Sequence, residues 1–334
     1  MDLGRLAVSL PAPFVPAREC VELGRRAESE WGYPAIWLAE TSGPDSFSLA
    51  GALAMVTERV TIGTAIVPVY NRTPAVLAMS AGTLAELSGD RFVLGLGTSS
   101  HAIVEGWNGV PFERPLAHMR EAVLLVRQAL AEVRTDYQGE VFRSKGLRLG
   151  ARTRRPVPIY VAALRERMLR LAGALGDGLI VNLFPVTALP RILGAWRAGA
   201  ADAGRDVSGQ EVVCRFQVCV TDDLPRARQL VRAAFGGYVA TPVYNRFFAW
   251  CGFEDVAKAV GEAFARGDRA AVGAAMSDDF VDRIAILGSA EACREQVAAF
   301  VAAGVTTPVI APLALDRAGV VRVLEAFAPA RAGS

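Results

Sequence analysis

The chain has 334 residues, of which 52% are hydrophobic and 21% charged, enough apolar material for a large core and far from a disordered chain or a small disulfide scaffold. The 36 basic and 34 acidic residues leave a formal charge of +2, which predicts neither a nucleic-acid partner nor a membrane surface. Five scattered cysteines without a CxxC motif, two histidines, and no basic leader or long apolar span favour a soluble cytoplasmic protein with reduced thiols and no metal site.

Hydrophobic runs of strand length alternate with helix-period segments along the chain, a pattern typical of βα units and a parallel sheet. The predicted strands are 5–10, 35–39, 60–66, 92–96, 158–163, 178–182, 212–220 and 306–311. The predicted helices are 16–31, 45–57, 73–88, 114–134, 165–175, 187–204, 290–303 and 316–327. Eight such units predict an α/β fold of the (β/α)₈ TIM-barrel type. An open dinucleotide-binding sheet would need GxGxxG after the first strand, where the chain has Leu10-Pro11-Ala12-Pro13.

Residues 222–289 separate the seventh and eighth predicted strands and are too long for one crossover. We predict that they form a helical insertion, with helices at 225–236 and 254–266, at the top of a single barrel domain spanning 1–334. The segment is rich in aromatic side chains, and we interpret three of them as part of a substrate pocket: Tyr244, Phe248 and Trp250. The alternative is that these aromatics pack the insertion onto the barrel or onto a second subunit.

The carboxyl ends of the strands are where a barrel of this class carries its reacting groups. Small residues in 95–100, which ends Gly97-Thr98-Ser99-Ser100, would let backbone N–H groups approach an anionic or planar ligand, although tight strand–helix packing explains them equally well. A helix is predicted directly after Ala162-Ala163-Leu164-Arg165, so its N-terminus and Arg165 favour a phosphate site over a solvated turn. Asn182 ends the sixth strand and is a further candidate cofactor-binding residue.

Other polar residues near these strand ends have two interpretations each. Glu40 would be costly to bury without a partner, so we expect either a functional role or a structural hydrogen bond to a neighbouring loop. His101 is a candidate general acid or base because its pKa lies near neutrality, or else a surface side chain. Trp107 and Asn108 either line a pocket for a flat ligand or serve packing.

Several longer motifs together resemble the F420-dependent branch of the bacterial luciferase-like monooxygenase superfamily, in its actinobacterial form. The matching stretches are Trp37-Leu38-Ala39-Glu40, Gly43-Pro44-Asp45, residues 62–74, 89–100 and 106–115, and Gly176-Asp177-Gly178. The resemblance implies a TIM-barrel enzyme that binds coenzyme F420, with FMN as the alternative cofactor, and that transfers a hydride between the deazaflavin C5 and a small organic substrate. It also implies a homodimer.

The resemblance places the ring of the deazaflavin at Thr64-Ala65-Ile66, with a cis peptide between Ala65 and Ile66, and the phosphate tail near the loops after strands four and five. Relatives that oxidise alcohols commonly have histidine where this chain has Thr41, a poor general base. We therefore expect a reductase acting on a C=C or C=N bond, with Glu40, His101 or water supplying the proton. An FMNH₂/O₂-dependent monooxygenase and a non-catalytic flavin-binding protein are the alternatives.

A preference for F420 over FMN would have to come from the acidic tail of F420. The carboxylates of that tail need cations, and five arginines flank the fifth predicted strand: Arg152, Arg154, Arg155, Arg165 and Arg167. A second departure from the family lies here, because the chain has Leu164-Arg165 where a Leu-Gly turn is expected.

Overall fold

Eight parallel strands close into a barrel in the computed structural model, which describes residues 1–131, 134–150 and 153–329. Each strand pairs with the next one along the barrel, and the eighth pairs with the first through Ala7 and Val309. The predicted TIM barrel is therefore confirmed. The eight barrel strands, which we number in chain order, are Ala7–Leu10, Ala35–Leu38, Thr61–Thr64, Phe92–Gly97, Ile159–Ala162, Gly178–Asn182, Glu211–Val220 and Thr307–Pro312.

Eight helices follow the predicted segments on the outside of the barrel. They are α1 (Ala17–Ser29), α2 (Ser46–Val56), α3 (Pro74–Ser88), α4 (Pro115–Leu130), α5 (Glu166–Leu175), α6 (Leu189–Asp202), α12 (Ala290–Ala302) and α13 (Arg317–Ala326), numbered to leave α7–α11 for the segment between strands seven and eight. Side-chain caps fix several N-termini: Thr73 accepts the N–H of Val76, and Ser289 that of Ala292. A short antiparallel hairpin, Asp136–Gln138 and Arg143–Lys145, was not anticipated from the sequence.

Two apolar layers hold the barrel together. Between strands and helices lies the larger core. The barrel interior is filled by a smaller cluster in which the rings of Trp37 and Tyr160 lie 5.7 Å apart. A Cβ at Gly63 would lie 2.5 Å from the Trp37 indole, and one at Gly178 would lie 2.6 Å from the Tyr160 ring. These two glycines therefore make room for the aromatic rings that close the centre of the barrel.

The segment between strands seven and eight contains five helices: α7 (Leu224–Ala240), α8 (Pro242–Trp250), α9 (Glu254–Ala265), α10 (Arg269–Ala275) and α11 (Asp278–Ile284). A short strand, Ile286–Gly288, then pairs with the end of the seventh barrel strand. The helices share an apolar core with Leu183 and Leu313, which follow the sixth and eighth strands. The segment thus packs against the carboxyl-terminal end of the barrel. None of the helices in the described part of the chain is both long and apolar enough to cross a membrane.

Candidate active site

The carboxyl ends of the eight strands surround the mouth of the barrel, where alternate residues of each strand face inward. Because Ala7, Ile180 and Val213 belong to the inner cluster, Ser9, Asn182 and Arg215 two residues further on also face inward. The sequence therefore brings side chains from distant parts of the chain to one opening.

A cis peptide bond joins Ala65 and Ile66 directly after the third strand, as the family resemblance implied. The backbone ladder between strands three and four is interrupted here, and the Thr64 hydroxyl takes its place: it donates to the Gly95 carbonyl at 2.9 Å and accepts the Gly95 N–H at 2.8 Å. Thr64 is fully buried, and its hydroxyl shapes the bulge.

Small side chains form the floor beside this bulge. Ala39, Ala65 and Ala162 are partly exposed at the mouth, and Ile66 lies across the surface of Gly97. A Cβ at Gly97 would come within 2.5 Å of Ile66 Cγ1, so only glycine allows the bulge to lie against the fourth strand. The result is a shallow apolar surface that fits the face of a planar ring system.

The loops after the fourth and fifth strands lie side by side, because Leu96 pairs with Val161. The first loop turns at Ser99, whose φ is 62°, and runs through Thr98 and the buried Ser100. The second loop leads into α5, whose N-terminus has no side-chain cap and includes the exposed Arg165. We call residues 97–100 and 162–166 the edge; it lies next to the apolar floor, and its backbone N–H groups and positive charge suit an anion.

Two predicted residues of this edge make contacts within the protein, and one residue near it was not predicted from the sequence. The buried Ala163 donates its N–H to the Ile180 carbonyl at 3.1 Å, so that group is unavailable to a ligand; the side chain of Leu164 packs against the main core. Arg246 of α8 was not anticipated, although its charge acts on Arg165 and, with desolvation, lowers the pKa of that guanidinium. Among the described residues neither arginine forms an ion pair with a carboxylate, which leaves two positive charges together at the edge.

Two other arginines of the predicted cluster, Arg154 and Arg155, lie away from this edge, and Arg167 is exposed on α5. Arg154 donates its N–H to Asp90 at 3.2 Å, before the fourth strand, and so lies with Arg155 at the amino-terminal end of the barrel. Residues that precede and follow one barrel strand lie at opposite ends, which spacing along the sequence conceals. Arg152 lies outside the described residues.

Glu40 is held in a network of its own. Arg72 donates to both of its oxygens, at 2.6 and 2.9 Å, and the Ser46 N–H donates to it at 3.2 Å. Arg72 also pairs with Asp45, which caps α2 by accepting the Ser48 N–H. The structural interpretation of Glu40 therefore fits the geometry, and its carboxylate is engaged in anchoring the loop after the second strand.

The other two candidate catalytic residues, Thr41 and His101, lie outside the Glu40–Arg72 network. Thr41 is exposed in the loop before α2. His101 is partly buried, its ring centroid 4.3 Å from that of Phe112, and its Nδ1 is buried with no hydrogen-bond partner among the described residues. Beyond it, Trp107 is 59% exposed, while Asn108 Nδ2 donates to the Ile103 carbonyl at 2.6 Å. Asn108 therefore stabilises the short helix Ala102–Trp107 that precedes it.

Three aromatic residues of the insertion were predicted to line a substrate pocket. Tyr244 reaches the mouth of the barrel, whereas Phe248 and Trp250 do not. The Tyr244 hydroxyl interacts with the Asn182 side chain, and burial raises its pKa to about 12. Phe248 is fully buried against Phe280, which favours the alternative that it packs the insertion. Trp250 packs beneath the guanidinium of Arg191, 4.0 Å from the ring centroid, and its carbonyl accepts a hydrogen bond from the same arginine.

Two inward-facing polar residues of the seventh strand were missed in the sequence. Arg215 donates from Nε to the Ser9 hydroxyl at 2.8 Å, and Gln217 is buried with no partner for Nε2 among the described residues. The available signal was the strand itself: Val-Val-Cys-Arg-Phe-Gln-Val-Cys-Val has polar residues two apart on one face of an otherwise apolar run.

Comparison with known proteins adds independent findings. The family model for luciferase-like monooxygenases matches residues 2–307. The 5,10-methylenetetrahydromethanopterin reductase of Archaeoglobus fulgidus is 29% identical over 91% of this chain and 93% of that protein. A putative coenzyme F420-dependent oxidoreductase of Mycobacterium tuberculosis is 31% identical over 88% of this chain and 91% of that protein. Among solved structures, the coenzyme F420-dependent tetrahydromethanopterin reductase of Methanopyrus kandleri superposes with a TM-score of 0.82, at 20% identity and coverage of 98% and 97%.

Proposed function

This chain belongs to the luciferase-like monooxygenase family, and we propose that within it the protein is an F420-dependent enzyme that reduces a C=C or C=N bond of a small organic substrate. Relatives that match nearly its whole length are F420-dependent oxidoreductases by name. The observation that carries the proposal is the apolar floor at the Ala65–Ile66 bulge with an anion-binding edge beside it.

The residues at the mouth fit the cofactor in both of its parts. Ala65, Ile66 and Gly97 offer a flat apolar surface to a ring system, and the turn at Ser99 with the N-terminus of α5 offers backbone N–H groups to a phosphate. Arg165 and Arg246 supply cations beyond the phosphate. FMN lacks the additional carboxylates that these two charges suit, so the pair favours F420.

The direction of the reaction follows from the acid–base groups. When bound, reduced F420 supplies a hydride from C5. Oxidation of an alcohol would need a base, yet the Glu40 carboxylate is paired with Arg72 and Thr41 carries only an exposed hydroxyl. The inward-facing polar side chains described at the mouth are hydroxyls, amides and a guanidinium: Ser9, Asn182, Arg215 and Gln217. None of these accepts a proton readily at neutral pH, and we assign the proton of the reduction to water.

Turnover with each cofactor tests the proposal. The full chain, supplied anaerobically with F420H₂ and a panel of conjugated enones and imines, should restore the visible absorbance of oxidised F420 with at least one member. Simple secondary alcohols with oxidised F420 should give no bleaching above the no-enzyme rate. Oxygen consumption with FMNH₂ and product oxygenation would instead support the monooxygenase alternative and contradict the proposal.

A variant of the floor separates cofactor binding from folding. Gly97→Ala places a methyl group against Ile66 and should weaken F420 binding, measured by equilibrium dialysis. The matched control is Gly194→Ala on α6, where a Cβ meets no atom within 4 Å and affinity should not change. Equal F420 affinities of the two variants would show that the surface around Gly97 and Ile66 does not bind the cofactor.

A further inference from the structure

Arg215 is a largely buried guanidinium at the mouth of the barrel whose charge lacks a counter-ion. It pairs in register with Asn182 of the sixth strand and Val309 of the eighth. Its Nε donates to the Ser9 hydroxyl at 2.8 Å, and among the described residues no carboxylate lies within ion-pairing distance of its terminal nitrogens. Desolvation lowers its pKa, and the groups that act on it are the phenols of Tyr238 and Tyr244.

Such an arrangement is costly for the folded protein alone. A buried charge is ordinarily paired, because desolvation of an uncompensated ion opposes folding. The two phenols do not compensate it, because burial raises the pKa of both and leaves them neutral near pH 7. The arginine therefore indicates a negatively charged group that arrives from outside the chain.

The surroundings of Arg215 show what kind of anion fits. Gln217 lies two residues further along the same inward face, 3% exposed, and its Nε2 has no partner in the part of the chain that the structure describes. The same holds for the buried Oδ1 of Asn182, whose side chain interacts with the Tyr244 hydroxyl. The subsite thus offers one positive charge, an amide donor and two phenols. A single charge suits a monoanion better than a phosphate dianion.

The orientation of the guanidinium supports the same choice. Since Ser9 occupies Nε, the two terminal nitrogens remain for an end-on pair of hydrogen bonds, the geometry that matches the two oxygens of a carboxylate. Building on the proposed reductase, we infer that the substrate carries a carboxylate and that Arg215, with Gln217 and Tyr244, forms its binding subsite.

The test uses the full chain loaded with F420 and measures binding by calorimetry. The probes are benzoate, cinnamate and crotonate, each paired with its methyl ester, and phenyl phosphate as the dianion. At least one acid should bind, with its ester weaker by a factor of ten or more, and Arg215→Gln should lose that acid preference. Arg215→Lys, which keeps the charge but not the fork, should fall between. Arg197→Gln, an exposed arginine of α6, should behave as the wild type.

Two further readouts separate this inference from a structural role and from the proposed cofactor. Arg215→Gln should unfold at the same or a higher temperature than the wild type, because it removes an uncompensated charge, and its F420 affinity should be unchanged. A lower unfolding temperature with intact acid binding would make Arg215 structural. Lost F420 affinity would assign it to the cofactor. Binding of no acid, or of phenyl phosphate in preference, overturns the inference, whereas failure of the wild type to bind F420 overturns the proposed function itself.

Discussion

Arg5 and Arg215 lie at opposite ends of the same barrel and meet opposite surroundings. At the amino-terminal end, Arg5 donates to Glu211 at 2.5 Å and to Thr61 at 2.7 Å, and the Tyr160 hydroxyl donates to the second Glu211 oxygen at 3.0 Å. At the carboxyl-terminal end, Arg215 donates only from Nε, to the hydroxyl of Ser9, among the described residues. The charge of Arg5 is thus satisfied within the chain, whereas the terminal nitrogens of Arg215 remain available for a ligand. Stability is thus concentrated at one end and binding capacity at the other.

The bulge after Thr64 lies at the carboxyl-terminal end, yet its polar groups are satisfied within the chain. Removing its hydrogen bonds should therefore have the largest effect on the free energy of unfolding. Thr64→Val keeps the side-chain shape but removes the hydroxyl that satisfies both the N–H and the carbonyl of Gly95. Leaving buried polar groups unpaired costs roughly 1–3 kcal/mol each, so we expect a loss of about 2–4 kcal/mol in urea unfolding. Thr83→Val, at an exposed position of α3, is the control and should change little. Similar losses for the two would show that the hydroxyl does not hold the bulge.

A pair of variants sharpens the comparison between the two ends. Glu211→Gln removes the charge that Arg5 pairs with and should lower the free energy of unfolding by about 1 kcal/mol, since both side chains are partly exposed and the pair is screened. Arg215→Gln should cost nothing. Unfolding of both variants in the same denaturant series checks the sign of the difference. A larger loss for Arg215→Gln would reverse the assignment of the two ends.

The amino-terminal end should also show the stronger dependence on acid. Burial opposes ionisation of Glu28, but N–H groups of Glu58, Arg59 and Val60 donate to its carboxylate and leave its pKa below the ordinary value of 4.5. A depressed pKa contributes stability that is complete above the ordinary value and is lost as the pH falls through the folded-state value. Glu28→Gln should therefore be less stable than the wild type near neutral pH.

The difference between Glu28→Gln and the wild type should shrink in acid, as followed by thermal unfolding across a pH series. Glu113→Gln, whose side chain is exposed, provides the control with a small and nearly constant difference. A gap for Glu28→Gln that stays constant down to the acid transition would contradict the role given to its carboxylate.

The smallest effects should come from the cations at the mouth. Arg165→Ala and Arg246→Ala each remove an exposed charge worth about 0.2–1 kcal/mol, which corresponds to a weakening of F420 binding by up to about fivefold. Stability should be unaffected. Arg155→Ala removes an equally exposed arginine at the opposite end and should leave the affinity unchanged. Equal affinities for all three variants would leave the F420 tail without its proposed partners.

The fold was predictable from the sequence because apolar strands buried on both faces leave a strong pattern. All eight barrel strands fall within two residues of their predicted bounds at either end. The site was less accessible to the same reasoning. Phe248 and Tyr244 lie four residues apart on α8, yet one is buried in the insertion and the other reaches Asn182, a difference set by packing between helices.

The sequence also did not indicate which arginines lie close together in the fold. Arg165 and Arg155 are ten residues apart but lie at opposite ends of a strand, whereas Arg165 and Arg246 are brought together by α8. The cis peptide bond between Ala65 and Ile66 was predicted only from the family resemblance, because no periodicity of the sequence indicates such a bond. The homodimer and the cytoplasmic location stay predictions.

Competitive titration of F420 and FMN with the full chain, at low and at high salt, tests the central claim most directly. Binding of F420 should be tighter than that of FMN by about tenfold, because the weak ion pairs of Arg165 and Arg246 with the acidic tail add together. The advantage should shrink at high salt, where exposed charges are screened. Equal or tighter binding of FMN, or an F420 affinity indifferent to salt, would contradict the assignment of the mouth to F420.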